Sequence, residues 1–258
     1  MSLEPEGRTL PDRPDVALRV LRPPKCQAVY LHMHPGGLVL GAPAMSDPFN
    51  LRVANELSIA VVSVDYRLAP RHPMPAAVDD CEAAARWLLA HSQREFGTDH
   101  WLIGGESAGA SLAVLTLLRM RDRLGACPFR AANLAVGTYD FSRTPSQRRS
   151  TDALFLSPER LRQTVESAFP GMAGEALRVP EISSLYADLR GLAPAIFSIG
   201  TEDAVLDDSL FMAARWRAAG NEAELELCSG GTHLFLNEPG AFADEGSRRI
   251  LDFLRRHA

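Results

Sequence analysis

No stretch of this sequence approaches 18 uninterrupted apolar residues, so it offers no segment of the kind that spans a bilayer as a helix. The opening residues, with Glu4, Pro5, Glu6, Arg8, Pro11 and Pro14, contain no apolar core of a secretory leader. Cysteine is sparse. Cys26, Cys81, Cys127 and Cys228 are scattered, without a Cys-x-x-Cys pair or disulfide-dense spacing, which suits a reducing cytoplasm. A concentrated Lys/Arg block is also missing, and the formal net charge is -5. Nucleic acid and anionic membrane surfaces are therefore poor candidates as principal partner; a small neutral or apolar molecule fits better. Internal repeats and low-complexity tracts are absent. What is present is a 258-residue chain, 46% hydrophobic, long enough to bury one large α/β core with a modest insertion. These features together predict a soluble, unexported, cytoplasmic protein.

Residues 1–15 are rich in proline and charge and lack periodicity, which predicts a mobile lead-in. Strands are expected at 16–21, 28–33, 59–64, 101–104, 132–136, 195–199 and 223–228, the third a near-continuous β-branched run of the kind buried on both faces of a parallel sheet. Helices are expected at 47–57, 76–92, 107–123, 158–169, 208–219 and 239–257. In the second of these, Ala77, Cys81, Ala84 and Leu88 keep the 3-4-4 spacing of an amphipathic face. The composition changes across 141–190, which reads as an insertion within a single domain spanning 1–258. Repeated strand-then-helix order with short connections implies a mostly parallel sheet covered by helices on both faces.

The chemistry concentrates at Gly105-Glu106-Ser107-Ala108-Gly109, where an apolar strand meets a helix-forming run. A serine between two glycines at this spacing fits a sharp strand-to-helix elbow, because neighbouring side chains would crowd the turn. The elbow places Ser107 at a helix N-terminus, where free N–H groups favour developing negative charge. A serine hydroxyl needs a base, and the base needs a group that fixes its tautomer. His233 follows the strand expected at 223–228, and Asp203 follows the strand expected at 195–199, both on carboxyl-terminal loops where open α/β sheets hold ligands. Glu202, Asp207 and Asp208 compete with Asp203 for the acid role. His34-Pro35-Gly36-Gly37, after the strand at 28–33, supplies amides free to approach a substrate oxygen, with the Ala108 N–H as a further donor. His32-x-His34 has the alternation of a two-imidazole metal site only if the chain is extended there, and no matching Asp/His cluster follows. No metal or cofactor is expected.

With these pieces placed, the sequence resembles the hormone-sensitive-lipase-like family of α/β-hydrolase carboxylesterases. The resemblance is carried by His34-Pro35-Gly36-Gly37-Leu38-Val39-Leu40-Gly41, Asp65-Tyr66-Arg67-Leu68-Ala69-Pro70 with His72-Pro73-Met74-Pro75 beyond it, Gly105 to Gly109, Gly200 to Asp208 and the His233 loop. It implies an α/β-hydrolase fold with a small helical cap at 141–190. It implies Ser107 as nucleophile, His233 as base, Asp203 as orienting acid, and Gly36, Gly37 and Ala108 as oxyanion donors. Glu106 and His34 are expected to support the site without touching substrate. Three departures stand out. Pro35 replaces a family glycine and has no N–H, Ala110 stands where a further glycine is common, and the N-terminal section that usually contributes to the cap is short. The cap then rests mainly on 141–190, which leaves a more open acyl pocket.

The expected function is serine carboxylesterase action on small, short-acyl esters. An amidase, deacetylase or formamidase would use the same triad, and a catalytically silent ligand-binding protein could share the fold. The last helix, 239–257, is a candidate face for a homodimer, though burial on its own sheet explains its apolar residues equally well.

Overall fold

The computed structural model describes residues 3–151, 156–238 and 240–258. At its centre lies β3 (Ala28–Met33), all six residues of which are buried. A run of this kind has no solvent-facing alternation and needs cover on both sides. β4 (Ile59–Asp65) and β5 (Trp101–Glu106) flank it in parallel. Beyond β5, the strands β6 (Ala131–Ala135), β7 (Ala195–Gly200) and β8 (Ala223–Cys228) continue in parallel. On the far side of β4, β2 (Arg13–Leu21) and β1 (Glu6–Leu10) pair antiparallel. The strand order is β1-β2-β4-β3-β5-β6-β7-β8.

Helices cover both faces. α2 (Pro75–Phe96), α3 (Ala108–Leu124) and α6 (Leu206–Ala218) share one core with Val29, Leu31, Val62 and Phe197 of the sheet. α1 (Asp47–Leu57) and α7 (Ala241–His257) close the other with Tyr30, Val61, Leu102 and Ile196. Local signals set their limits: Pro75 opens α2, and Gly97, at φ 73°, closes it by donating its N–H to Gln93 O. No helix among the described residues is long and apolar enough to cross a membrane.

The amino-terminal expectation is corrected. Within the supposed mobile lead-in 1–15, residues 6–10 form β1 and residues 13–15 open β2, while residues 1 and 2 lie outside the described residues. β1 escapes pattern reading because it is an edge strand with only Leu10 buried. It is held by register with β2 and by ion pairs that periodicity does not register. Arg8 reaches Glu95 at 2.7 Å, and Arg13 reaches the fully buried Asp80 at 2.7 Å.

Between β6 and β7 the chain forms α4 (Pro145–Arg149), α5 (Pro158–Ala168) and two 3-10 turns, Gly174–Arg178 and Ser184–Tyr186. Residues 152–155 of the expected insertion, and Pro239 at the expected start of the last helix, lie outside the described residues. α5 is capped by Ser157, whose hydroxyl accepts the Arg160 N–H. Its other end is fastened where Met74 N donates to Ala168 O at 3.1 Å.

Candidate active site

Ser107 joins β5 to α3 with φ 55° and ψ -119°, outside the regions a residue with a side chain normally occupies. The turn is this tight because β5 and α3 both press against the end of β3. A Cβ added at Gly105 or at Gly109 would overlap the carbonyl oxygen of Met33. Ser107 N donates to Ala135 O of β6 at 2.9 Å, and Ala110 N donates to Ser107 O at 3.1 Å, so the elbow is fixed to the sheet and to its own helix.

β7 and β8 end beside it. His233 Nε2 lies 3.0 Å from Ser107 Oγ, and His233 Nδ1 lies 2.8 Å from Asp203 Oδ2 and 3.0 Å from Oδ1. Asp203 is 4% exposed and also accepts the Val205 N–H at 3.0 Å. With Nδ1–H donated to the carboxylate, Nε2 is left as an acceptor for the serine hydroxyl. The Asp203 and His233 loops are laced together: Thr201 N donates to Cys228 O and Glu202 N to Gly231 O, both at 3.0 Å, and Gly230 N donates to Thr201 Oγ1 at 2.8 Å.

Of the competing acids Glu202 is exposed to solvent, and Asp207 and Asp208 face elsewhere. Asp207 accepts the Ser146 N–H at 2.8 Å. Asp208 is fully buried and accepts from Tyr139 N, Asp140 N, Thr144 Oγ1 and Gln147 Nε2 at 2.7–2.9 Å. Burial pushes its carboxyl up to about 6 against the lowering effect of those donors. Asp208 thus ties the start of the insertion to α6.

After β3 the chain turns at Pro35-Gly36-Gly37, where Val39 N and Leu40 N both donate to Gly36 O at 3.1 Å. Gly36 has φ 131°, a conformation that disfavours any side chain. Among the described residues, none accepts a hydrogen bond from the amides of Gly36, Gly37 or Ala108. Pro35 contributes no donor, but its carbonyl accepts His34 Nδ1–H at 2.7 Å. His34 is buried and stacked on Tyr66, with ring centroids 4.1 Å apart, while the Tyr66 hydroxyl donates to His34 O at 2.7 Å. Burial pushes the His34 imidazole down to about 4. His34 therefore braces the turn as a neutral ring. Tyr66 was legible only as part of the family-like segment 65–70. That segment also brackets the turn through Ala69 N to Leu38 O at 2.9 Å, and is itself held by Arg67 on Asp80. Over the turn lies α5: a methyl placed on Gly37 would sit 3.2 Å from Thr164 Cγ2. Nothing in the sequence pointed to Thr164.

His32 and His34 turn to different partners. His32 meets Glu106 and Ser63, whereas His34 meets Pro35 O. Glu106 points into this polar cluster and not toward the triad. Ala110, the second departure from the family pattern, is fully buried on α3.

The profile of the α/β-hydrolase fold family matches residues 30–237, a span that contains every one of these groups. The chain is an α/β-hydrolase. Among its relatives, the carboxylic ester hydrolase LipN of Mycobacterium tuberculosis is 33% identical over 236 residues, covering 87% of this hydrolase and 62% of LipN. The present hydrolase therefore spans less than two thirds of that relative's length. An esterase from Pyrobaculum calidifontis superposes with a TM-score of 0.90 at 28% identity, covering 99% of this chain and 85% of the other. A hormone-sensitive lipase from a metagenome library superposes with a TM-score of 0.88 at 28% identity, covering 99% and 84%. The family resemblance read from the motifs thus holds along nearly the whole hydrolase.

Proposed function

We propose that this hydrolase is a serine carboxylesterase that cleaves small, short-acyl carboxylic esters through an acyl-enzyme intermediate. The observation that carries the reading is the unbroken hydrogen-bonded series Ser107–His233–Asp203 beside three amides without a partner among the described residues. Ser107 Oγ attacks the ester carbonyl carbon while His233 Nε2 takes its proton, and Asp203 holds the ring and stabilises the imidazolium. The carbonyl oxygen, now negative, is received by the amides of Gly36, Gly37 and Ala108, worth roughly 3 kcal/mol per donor in such sites. Collapse expels the alcohol, which takes the proton from His233. Water, deprotonated by the same histidine, then attacks the acyl group, and Ser107 is released with its hydroxyl restored. Glu106 and His34 hold the elbow and the oxyanion turn without touching substrate.

Within a single domain, residues 141–190 serve as the cap, its α5 lying against the oxyanion turn at Thr164. That closeness, and the 9% exposure of Ser107, support a small substrate. The reading includes a cytoplasmic location, supported by four free cysteines. It also includes a homodimer through β8 and the start of α7, where Leu227 and Phe242 are more than half exposed (52% and 54%). Light scattering that gives a monomer at micromolar concentration removes the dimer.

Ser107→Ala tests the chemistry. Turnover of p-nitrophenyl acetate should fall on the order of a million-fold with the thermal midpoint retained; persistent turnover rejects the serine mechanism. A panel of p-nitrophenyl esters and anilides of graded acyl length should show kcat/KM falling with chain length. Faster cleavage of anilides would move the assignment to an amidase.

A further inference from the structure

Glu106, the residue before the serine, carries a nearly buried carboxylate that the reaction does not use. It lies 3.1 and 3.3 Å from His32 Nε2 and accepts the Ser46 hydroxyl at 3.0 Å. His32 is wholly buried, and its Nδ1 meets Ser63 Oγ at 3.1 Å and Asn50 Nδ2 at 3.3 Å. Register explains the alignment. On adjacent parallel strands His32 pairs with Ser63 of β4 and with Gly104 of β5, two residues before Glu106 and on the same sheet face. Hydroxyl, imidazole and carboxylate therefore run across β4, β3 and β5 behind the elbow, and Ser46 and Asn50 extend the series to the segment around α1. Among the described residues no Lys or Arg pairs with Glu106; its side-chain partners are His32 and Ser46. A buried carboxylate with so few donors is held in one place or not at all, since losing either donor leaves charge without compensation.

We propose that Glu106 is a positioning carboxylate. Anchored by His32 and Ser46, with Ser63 and Asn50 behind them, it holds the backbone on the strand side of Ser107, so that the strained serine keeps its reach to His233. α3 fixes the serine from the other side through Ala110 and Ser111. The inference rests on Ser107 being the nucleophile. It assigns His32 and Ser63, which touch no reacting atom, an effect on kcat that acts through Glu106.

The test compares the whole protein with Glu106→Gln, His32→Gln, the double variant, and Ser63→Ala. Each is measured for kcat and KM on p-nitrophenyl acetate, for the rate of labelling by a fluorophosphonate, and for its thermal midpoint. Gln at 106 is the same size and keeps an oxygen for Ser46, so the fold should persist, but it sets an amide NH2 in place of one of the two oxygens facing His32 Nε2 and so disturbs the array. Displacement of a reacting group by about an ångström costs roughly a hundredfold. The expected result is a kcat loss between about tenfold and a hundredfold for Glu106→Gln and His32→Gln, KM within about threefold, and labelling slowed in parallel. The double variant should be no slower than the worse single, because both disrupt one array. Ser63→Ala deletes a single oxygen at the far end; it keeps the inference testable if the other variants fail to fold, and should lose about threefold in kcat at unchanged KM. Asn221→Ala, which removes contacts to Leu189 O and Leu192 N far from the elbow, should keep its kcat despite a lower midpoint. The proposal falls if Glu106→Gln or Ser63→Ala keeps full kcat, if the single losses multiply in the double variant, or if Asn221→Ala loses kcat equally. A wild-type protein that neither hydrolyses the ester nor takes the label would instead overturn the esterase reading, and this inference with it.

Discussion

Ser107 holds a backbone conformation worth on the order of 1–3 kcal/mol of strain, and the glycines on either side are what allow it. Gly109→Ala would drive a methyl into Met33 O. That variant should unfold several degrees lower, and its folded fraction should hydrolyse p-nitrophenyl acetate more slowly, because β3 or α3 must move. Thermal melts and turnover per active site read the two effects separately. The acid assignment is also a question for single residues. Asp203→Asn sets an amide N–H donor beside His233 Nδ1 and so favours the wrong tautomer, and kcat should drop on the order of ten-thousandfold. Asp207→Asn, which weakens a contact to Ser146 N, should stay within a few-fold. The reverse ranking would transfer the acid role. That Ser107, Asp203, His233, Gly36 and Gly37 gather at strand ends could be read from sequence because each stands in a pattern the proposed chemistry requires. His32, Ser46 and Thr164 could not, because their roles depend on neighbours between 60 and 127 residues away in the chain.

α6 shows how an element can serve a site it does not line. Through Asp208 and Asp207 its first turn gathers the amides and side chains of residues 139–147, just where the insertion leaves the sheet. Asp208→Ala orphans those buried donors, at about 1–3 kcal/mol each. It should lower the melting temperature markedly and speed hydrogen exchange at Tyr139 and Asp140. Asp208→Asn retains an amide oxygen for the two backbone donors and should recover much of the loss. Equal damage from both would show that charge, and not acceptance, is what matters. The buried parallel strands and amphipathic helices were legible because their periodicity follows from burial. β1 was not, since four of its five residues lie at least partly exposed and its hold is pairing with β2 plus the Arg8–Glu95 ion pair. α4 is five residues long, too short for any period to declare itself.

For the molecule as a whole, two buried groups bias stability against pH in opposite directions. Asp208 rises from 3.8 to about 6 on folding. Between those values the folded state binds more protons than the unfolded chain, so its contribution is complete at low pH and is lost as pH rises, by about 3 kcal/mol. His34 falls from 6.5 to about 4. In that window the unfolded chain binds more protons, so this contribution is complete above pH 6.5 and is lost by about 3 kcal/mol on acidification. The two nearly cancel between pH 4 and 6. Urea unfolding of Asp208→Asn should therefore reveal a steep loss of stability from pH 6.5 to 4 that the wild type hides; a slope no steeper than the wild type's would contradict the offset.

The lacing of the Asp203 loop to the His233 loop also sets an expected order in which this site comes apart. Asp203 and His233 travel as one body on β7 and β8, while Ser107 belongs to β5, with β6 between them. On gradual heating, the low-field proton shared by the imidazole and carboxylate should outlast the serine's reactivity. Half of the machinery would then still be assembled in a molecule that has already fallen silent.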